Sequence, residues 1–232
     1  MGAVALALVY QGWALWFAAP DMNPWHARSA VALLAVLHLL LLTLWLPGPA
    51  AVSLARDRES GALQALLLTA LTPAQIVAAR WLVGTAPTAL SLVALAPLLW
   101  IAGHAARFPP GRLVLLALVL LAAGAGITAA SLWLSARLRP ARVAVVAAYA
   151  LTAVGCWGTL VPFRPLEIRG ENLWWLLSPV FQVAWLCLAE PVGAPLVLPV
   201  LPEWGFFLAW TGIVTFLSLR GTIMLVATGA DR

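Results

Sequence analysis

The residues of this chain whose side chains could do chemistry are few, and the densest group of them is Arg56-Asp57-Arg58-Glu59-Ser60. The 13 basic residues are all arginine, and they stand beside eight acids and three histidines. Without lysine the chain has no P-loop, a site that binds phosphates through Gly-Lys-Ser/Thr. Schiff-base lysine chemistry and the strand lysine of protein kinases are excluded for the same reason. We therefore expect no ATP hydrolysis by this chain's own residues, and no enzyme activity.

The remaining reactive groups do not form a recognisable catalytic or metal-binding pattern. No spacing of His, Cys, Asp and Glu resembles a metal site, so we expect neither a metal nor a cofactor. Cys156 and Cys187 lie in apolar sequence. They could be bridged, but free buried thiols are favoured. Ser91 and Ser131 lack a plausible partner histidine in the sequence, which argues against an intramembrane protease.

Composition places the chain in a membrane. Of its 232 residues 64% are hydrophobic and 9% charged, and the mean hydropathy is +1.00. A soluble protein has about 25% charged and about 45–50% apolar residues. A chain this apolar requires a bilayer as its solvent. Its arginines are scattered between apolar runs rather than clustered, so they indicate membrane topology and not nucleic-acid binding.

The apolar runs predict an all-α integral membrane protein that forms one domain over residues 1–232. A span needs about 20 mostly apolar residues. Six are predicted, at about 3–19, 29–46, 78–103, 113–135, 143–162 and 205–227. Pro47-Gly48-Pro49 is expected to end the second span. Five prolines divide residues 172–202, which predicts a re-entrant or interfacial outer hairpin there rather than a seventh crossing.

The arginines predict which side each connection occupies. The connections from even to odd spans, together with the C-terminus, carry eight arginines, and the other connections carry five. Basic residues are enriched on the cytoplasmic side of membrane proteins. We therefore expect a protein of the inner membrane with both termini in the cytoplasm. The close group Arg137, Arg139 and Arg142 supports this orientation best.

Residues 56–72 between spans two and three carry the most specific pattern. Gly61 separates the charged run from a short predicted helix, Ala62 to about Thr69. Leu63, Leu66 and Leu67 recur at helical spacing and form one apolar stripe, and Gln64 lies off that stripe. The chain is expected to leave the membrane here and to lay this amphipathic helix along its surface.

A capped helix start follows this segment. Thr72 is a good N-cap, Pro73 suits the first helical position, and Gln75 stands where a capping box requires it.

Two features inside the spans also carry predictions. Gly124, Gly126 and Ala130 give small residues at spacings suited to close helix contact, within the subunit by default. His38, inside the second span, is expected to be neutral and packed against a neighbouring helix.

The segment from Arg58 to Pro73 resembles the signature of ABC-2 type transporter permeases, which is roughly E-R-E-x-G-T-L-E-x-L-L-x-T-P-L-S/T-P. The chain departs from this signature at Asp57, Ala62, Gln64 and Ala70. A basic residue follows in the next helix, as in the family, and here it is Arg80. The matching residues are Arg58, Glu59, Gly61, Leu63, Leu66, Leu67, Thr69, Leu71, Thr72 and Pro73.

The resemblance implies a transmembrane subunit of an ABC transporter. Its coupling helix, within residues 56–72, would dock on a separate cytoplasmic ATPase subunit, and a second permease subunit would complete the transport unit. The implied roles are polar contacts for Arg58 and Glu59, the sharp turn into the helix for Gly61, and a docking face made of Leu63, Leu66 and Leu67 beside Gln64. The alternative is a membrane anchor or assembly protein whose cytoplasmic loop binds another partner.

Overall fold

The computed structural model describes residues 24–158, 167–168, 171–172, 177–188, 196–198 and 201–229. In chain order the helices are α1 Pro24–Trp45, α2 Pro47–Glu59, α3 Ala62–Leu67, α4 Pro73–Ala105, α5 Pro110–Arg137, α6 Ala141–Cys156, α7 Pro179–Leu188 and α8 Glu203–Gly229. The strands are β1 Glu167–Ile168, β2 Glu171–Asn172, β3 Leu196–Leu198 and β4 Leu201–Pro202. The predicted first span, 3–19, lies outside the described residues.

The fold is helical, as the composition predicts. The strands are minor additions between α6 and α8. β1 pairs with β2 and β3 pairs with β4, each in an antiparallel ladder of two or three residues. The outer hairpin predicted at 172–202 therefore contains β3, β4 and the ten-residue helix α7, which begins at a proline.

Four helical segments are long and apolar enough to cross a membrane. They are Ala27–Glu59, Pro73–Ala105, Pro110–Arg137 and Trp204–Thr228. The predictions at 29–46, 78–103, 113–135 and 205–227 fall within them. At the fifth predicted span the structure has α6, a helix of only 16 residues, which is short for a crossing of about 20 residues. Residues 159–162 are not described.

α1 ends at Trp45, directly before Pro47-Gly48-Pro49 as predicted, but a second helix begins there at once. Leu46 itself has helical backbone angles, φ −72° and ψ −40°, and α2 begins at the next residue. Both prolines fall in the first turn of α2, where a backbone N–H has no partner within the helix and its loss costs little. The chain therefore continues as helix to Glu59, and residues 56–59 form a helix end rather than a loop.

α5 is the central helix, and it packs against α2, α4, α6 and α8. An apolar cluster around Leu95, Leu99 and Leu120 joins one half of α4 and α5 to α1 and α7. A second cluster joins the opposite halves of the long helices: Leu54, Leu63, Ile76, Val77, Leu132, Ala136 and Val226. α2, α3 and the end of α8 thus meet at one end of the bundle. We call this the α3 end.

Large apolar side chains cover the outside of the long helices. Val83 is 73% exposed and Val93 72% on α4, and Phe216 is 62% exposed on α8. In water a continuous surface of this kind would drive association. In hydrocarbon it costs nothing, which fits a bundle whose outer faces contact lipid.

Small residues bring α4 and α5 into close contact. A Cβ added at Gly84 would lie 2.5 Å from Thr128 Cγ2, and one added at Gly124 would lie 2.5 Å from Thr88 Oγ1. Gly126 approaches Thr211 of α8 in the same way, at 3.0 Å. The predicted contact face at Gly124 and Gly126 is therefore confirmed, and its partners are in the same subunit.

Candidate functional site

Arg58, in the last turn of α2, holds the α3 end together. Its Nη1 donates to the carbonyl of Ala136 at 2.6 Å, and its Nη2 donates to the carbonyls of Ser135 and Leu138 at 2.6 and 2.8 Å. The last carbonyls of a helix lack partners within that helix and carry partial negative charge. The planar guanidinium therefore caps the C-terminus of α5.

A neighbouring hydrogen bond strengthens the same junction. The backbone N–H of Ala55 donates to Ser135 Oγ at 2.9 Å, and both groups are buried. Arg58 also interacts electrostatically with Arg139 and Glu59. Polar groups therefore hold α2 and α5 together at this junction.

The two acids of the charged run also have partners within the subunit. Asp57 forms an ion pair with Arg80, which fixes the end of α2 to the second turn of α4. Glu59 Oε1 accepts the backbone N–H of Ala141, the first residue of α6, at 2.9 Å. A carboxylate at a helix N-terminus is favoured by the helix dipole. Arg56 remains exposed on the outside of this group.

Gly61 makes the turn between α2 and α3. Its φ of +74° lies in the left-handed region, where a residue with a Cβ is strained and glycine is not. Its N–H donates to the carbonyl of Arg58 at 3.2 Å. The sharp turn predicted at Gly61 therefore has a backbone basis.

The apolar stripe of α3 faces the protein's own core. Leu63 is 6% exposed and belongs to the cluster with Leu54 and Ile76, while Leu66 and Leu67 are half-buried against it. The solvent-facing side of α3 consists of Gln64, Ala65 and the following Leu68.

Leu68 was not among the residues predicted from the sequence, although it is 90% exposed. The periodicity contained the necessary signal, since positions 64, 65 and 68 lie opposite the stripe on a helix. Leu71, nearby, is 46% exposed. An apolar side chain this exposed, at the end of the bundle, is a candidate contact for a partner.

The start of α4 has the capping box that the sequence predicts. The Gln75 N–H donates to Thr72 Oγ1 at 3.3 Å, and the Thr72 N–H donates to Gln75 Oε1 at 2.8 Å. Pro73 is the first residue of the helix. α3 is therefore presented between two fixed ends, the capped α2–α5 junction and the capped start of α4.

Inside the bundle, His38 of α1 lies beside Ser91 of α4. Ser91 Oγ is 3.4 Å from His38 Nε2 and donates to the carbonyl of Thr88 at 2.9 Å. The expectation that Ser91 lacks a partner histidine is therefore wrong, because this contact depends on how α1 packs on α4. Ser91 Oγ thus lies within reach of both a backbone carbonyl of its own helix and the His38 ring.

The two cysteines, Cys156 and Cys187, are buried and do not form a disulfide. No three His, Cys, Asp or Glu side chains in the described part of the chain could hold a metal ion together.

Comparison with known proteins leaves the family of the chain undetermined. No family model matches the chain, and no curated protein matches it.

Proposed function

We propose that the chain is the permease subunit of an ABC transporter of the ABC-2 type and moves its substrate outward across the inner membrane. A separate cytoplasmic ATPase subunit would drive it, and a second permease subunit would complete the transporter. The proposal includes six spans with both termini in the cytoplasm. The single observation that carries it is α3, a short helix that is followed by the exposed Leu68 and held between two capped helix ends.

The architecture of the α3 end suits the transmission of force. A partner that pushed on the outer side of α3 would press its inner stripe against Leu54 and Ile76, and so against α2 and α4. Arg58 and Asp57 connect the same end to α5 and α4. ATP binding on the partner would then bias the bundle between two states, the minimum that such a cycle requires.

The docking surface predicts a specific loss of partner binding. Leu68→Asp is expected to reduce the ATPase subunit that co-purifies with the tagged full-length chain by about tenfold, because the charge would be desolvated in an apolar contact. Leu68 is the better position for this test. An aspartate at the half-buried Leu66 or Leu67 would also disrupt the core. The measurement is quantitative mass spectrometry of the complex from the native host.

Ala74→Asp is the matched control, because it adds the same charge at an exposed position of the α4 start. Undiminished ATPase retention by the Leu68 variant would contradict the docking surface. A complex that contains a different protein and no ATPase would favour the membrane anchor or assembly protein.

The proposed topology is tested by labelling from one side. Ser60→Cys at the α3 end and Gly111→Cys at the start of α5 both place a thiol at an exposed position. In right-side-out vesicles an impermeant maleimide is expected to label the Gly111 variant at once, and the Ser60 variant only after permeabilisation. The unsubstituted chain supplies the background, since both native cysteines are buried. The opposite labelling pattern would place α3 outside the cell.

A further inference from the structure

A cavity of about 1320 Å³ opens at the α3 end, between α2 and α3 on one side and the α5–α6 connection and the end of α8 on the other. Small-molecule pockets usually have volumes of about 300–1,000 Å³, so this cavity is larger than most. Its volume suits a bulky ligand.

The chemistry of the cavity wall is divided. Leu54, Leu63 and Val226 form an apolar wall that is buried within the subunit. The polar part contains three arginines, Arg58, Arg137 and Arg139, and the acid Glu59, so the net charge of these four groups is three minus one, or +2. An apolar wall beside excess positive charge matches a ligand with a hydrocarbon part and an anionic part.

Two of the three arginines have charges that can interact with a ligand. Arg58 is committed to the carbonyls at the end of α5, and Glu59 to the N–H of Ala141. Arg137 and Arg139 are exposed. The guanidinium carbon of Arg137 lies 5.3 Å from the ring centre of Trp133. That ring stabilises the orientation of the cation without neutralising it.

The position of the cavity identifies the source of the ligand. Its walls are the last turns of α5 and α8, two of the segments long and apolar enough to span a membrane. A pocket at the ends of spans lies at the depth of lipid headgroups. Basic pockets between transmembrane helices bind anionic headgroups of the adjacent leaflet.

We propose that this cavity is a binding site for an anionic phospholipid of the adjacent leaflet. The headgroup phosphate contacts Arg137 and Arg139, and an acyl chain lies along Leu67 and Leu225, two apolar side chains of the cavity wall that are partly exposed. The site needs only that the α3 end lies at a membrane surface, and it does not depend on an ATPase partner.

The test is native mass spectrometry of the full-length chain released from nanodiscs that contain equal amounts of phosphatidylglycerol and phosphatidylcholine. The unsubstituted chain is expected to retain phosphatidylglycerol in preference to phosphatidylcholine. In the double variant Arg137→Gln/Arg139→Gln this preference is expected to fall by about 10- to 30-fold, as for the loss of two basic contacts.

The control is Arg56→Gln/Arg142→Gln, which removes the same charge from exposed positions near the α3 end that do not line the cavity. It is expected to keep the preference. An equal loss in the control would show a general surface-charge effect and overturn the proposal. Equal retention of both lipids by the unsubstituted chain would overturn it too, as would displacement of the bound lipid by millimolar inorganic phosphate, which would indicate a site for free phosphate.

Discussion

Arg58→Gln is expected to lower the thermal midpoint of the full-length chain in detergent by about 5–10 °C. The substitution removes a charged donor from three carbonyls at the end of α5. Hydrogen bonds to charged groups contribute about 1.5–3 kcal/mol each and are not additive, so a total of about 2–3 kcal/mol is expected for this half-exposed side chain. In a chain of this size each kcal/mol corresponds to about 2–4 °C. To measure the midpoint, samples are heated to a series of temperatures, and the monodisperse fraction that remains is determined by size-exclusion chromatography.

Two further variants identify the cause of this loss. Arg58→Lys keeps the charge but not the planar fork that reaches three acceptors, so an intermediate midpoint is expected. Arg56→Gln removes an exposed arginine from the same turn and is expected to leave the midpoint unchanged. If Arg58→Gln were as stable as the unsubstituted chain but lost the ATPase subunit, Arg58 would be a partner contact, as the family resemblance implies.

Gly124→Ala is expected to destabilise the bundle by about 1–3 kcal/mol, the usual cost of overpacking. The added methyl group would meet Thr88 Oγ1 at 2.5 Å, Cγ2 at 2.6 Å and Cβ at 3.0 Å. Thr88 is fully buried, and rotation about χ1 does not move its Cβ, so the 3.0 Å contact remains in every rotamer. α4 and α5 must therefore separate at their closest point.

A second substitution on the facing helix is expected to restore the contact. Thr88→Ala removes the two atoms that lie nearest the new methyl group, so the double variant should recover at least about 1 kcal/mol of the loss in a double-mutant cycle. Gly212→Ala is the matched control, because a Cβ there meets nothing within 4 Å. It should be neutral or slightly stabilising, since alanine favours a helix over glycine. Additive losses in the cycle would contradict the direct contact.

The sequence predicts those features of the fold that depend on local pattern. Span positions follow from the length of apolar runs, the α4 cap follows from Thr72 and Gln75, and the close contact at Gly124 follows from small-residue spacing. Each of these signals lies within about one helix turn or one apolar run, so a single chain is enough to show it.

Features that depend on neighbouring elements could not be predicted in this way. Periodicity shows that Leu63, Leu66 and Leu67 share a face, but not whether a partner or the bundle covers it. The partners of Arg58 and Glu59 within the chain could not be predicted, because the helix ends that they contact, in α5 and α6, are about 80 residues away in sequence. Pro47 and Pro49 predicted the end of α1 but not the start of α2, because proline both ends helices and begins them.

The length of α4 has a consequence for the ion pair between Asp57 and Arg80. Its 33 residues extend about 50 Å, whereas the hydrocarbon layer is about 30 Å thick. The helix is thus about 20 Å longer than the hydrocarbon layer is thick. If α4 stood upright and centred, about 10 Å of it would extend beyond the hydrocarbon on each side. In that arrangement Arg80, about 10 Å from the start of the helix, would lie at the boundary of the hydrocarbon. A thicker bilayer would draw this pair into lipid, which makes it the point where membrane thickness acts on the α3 end.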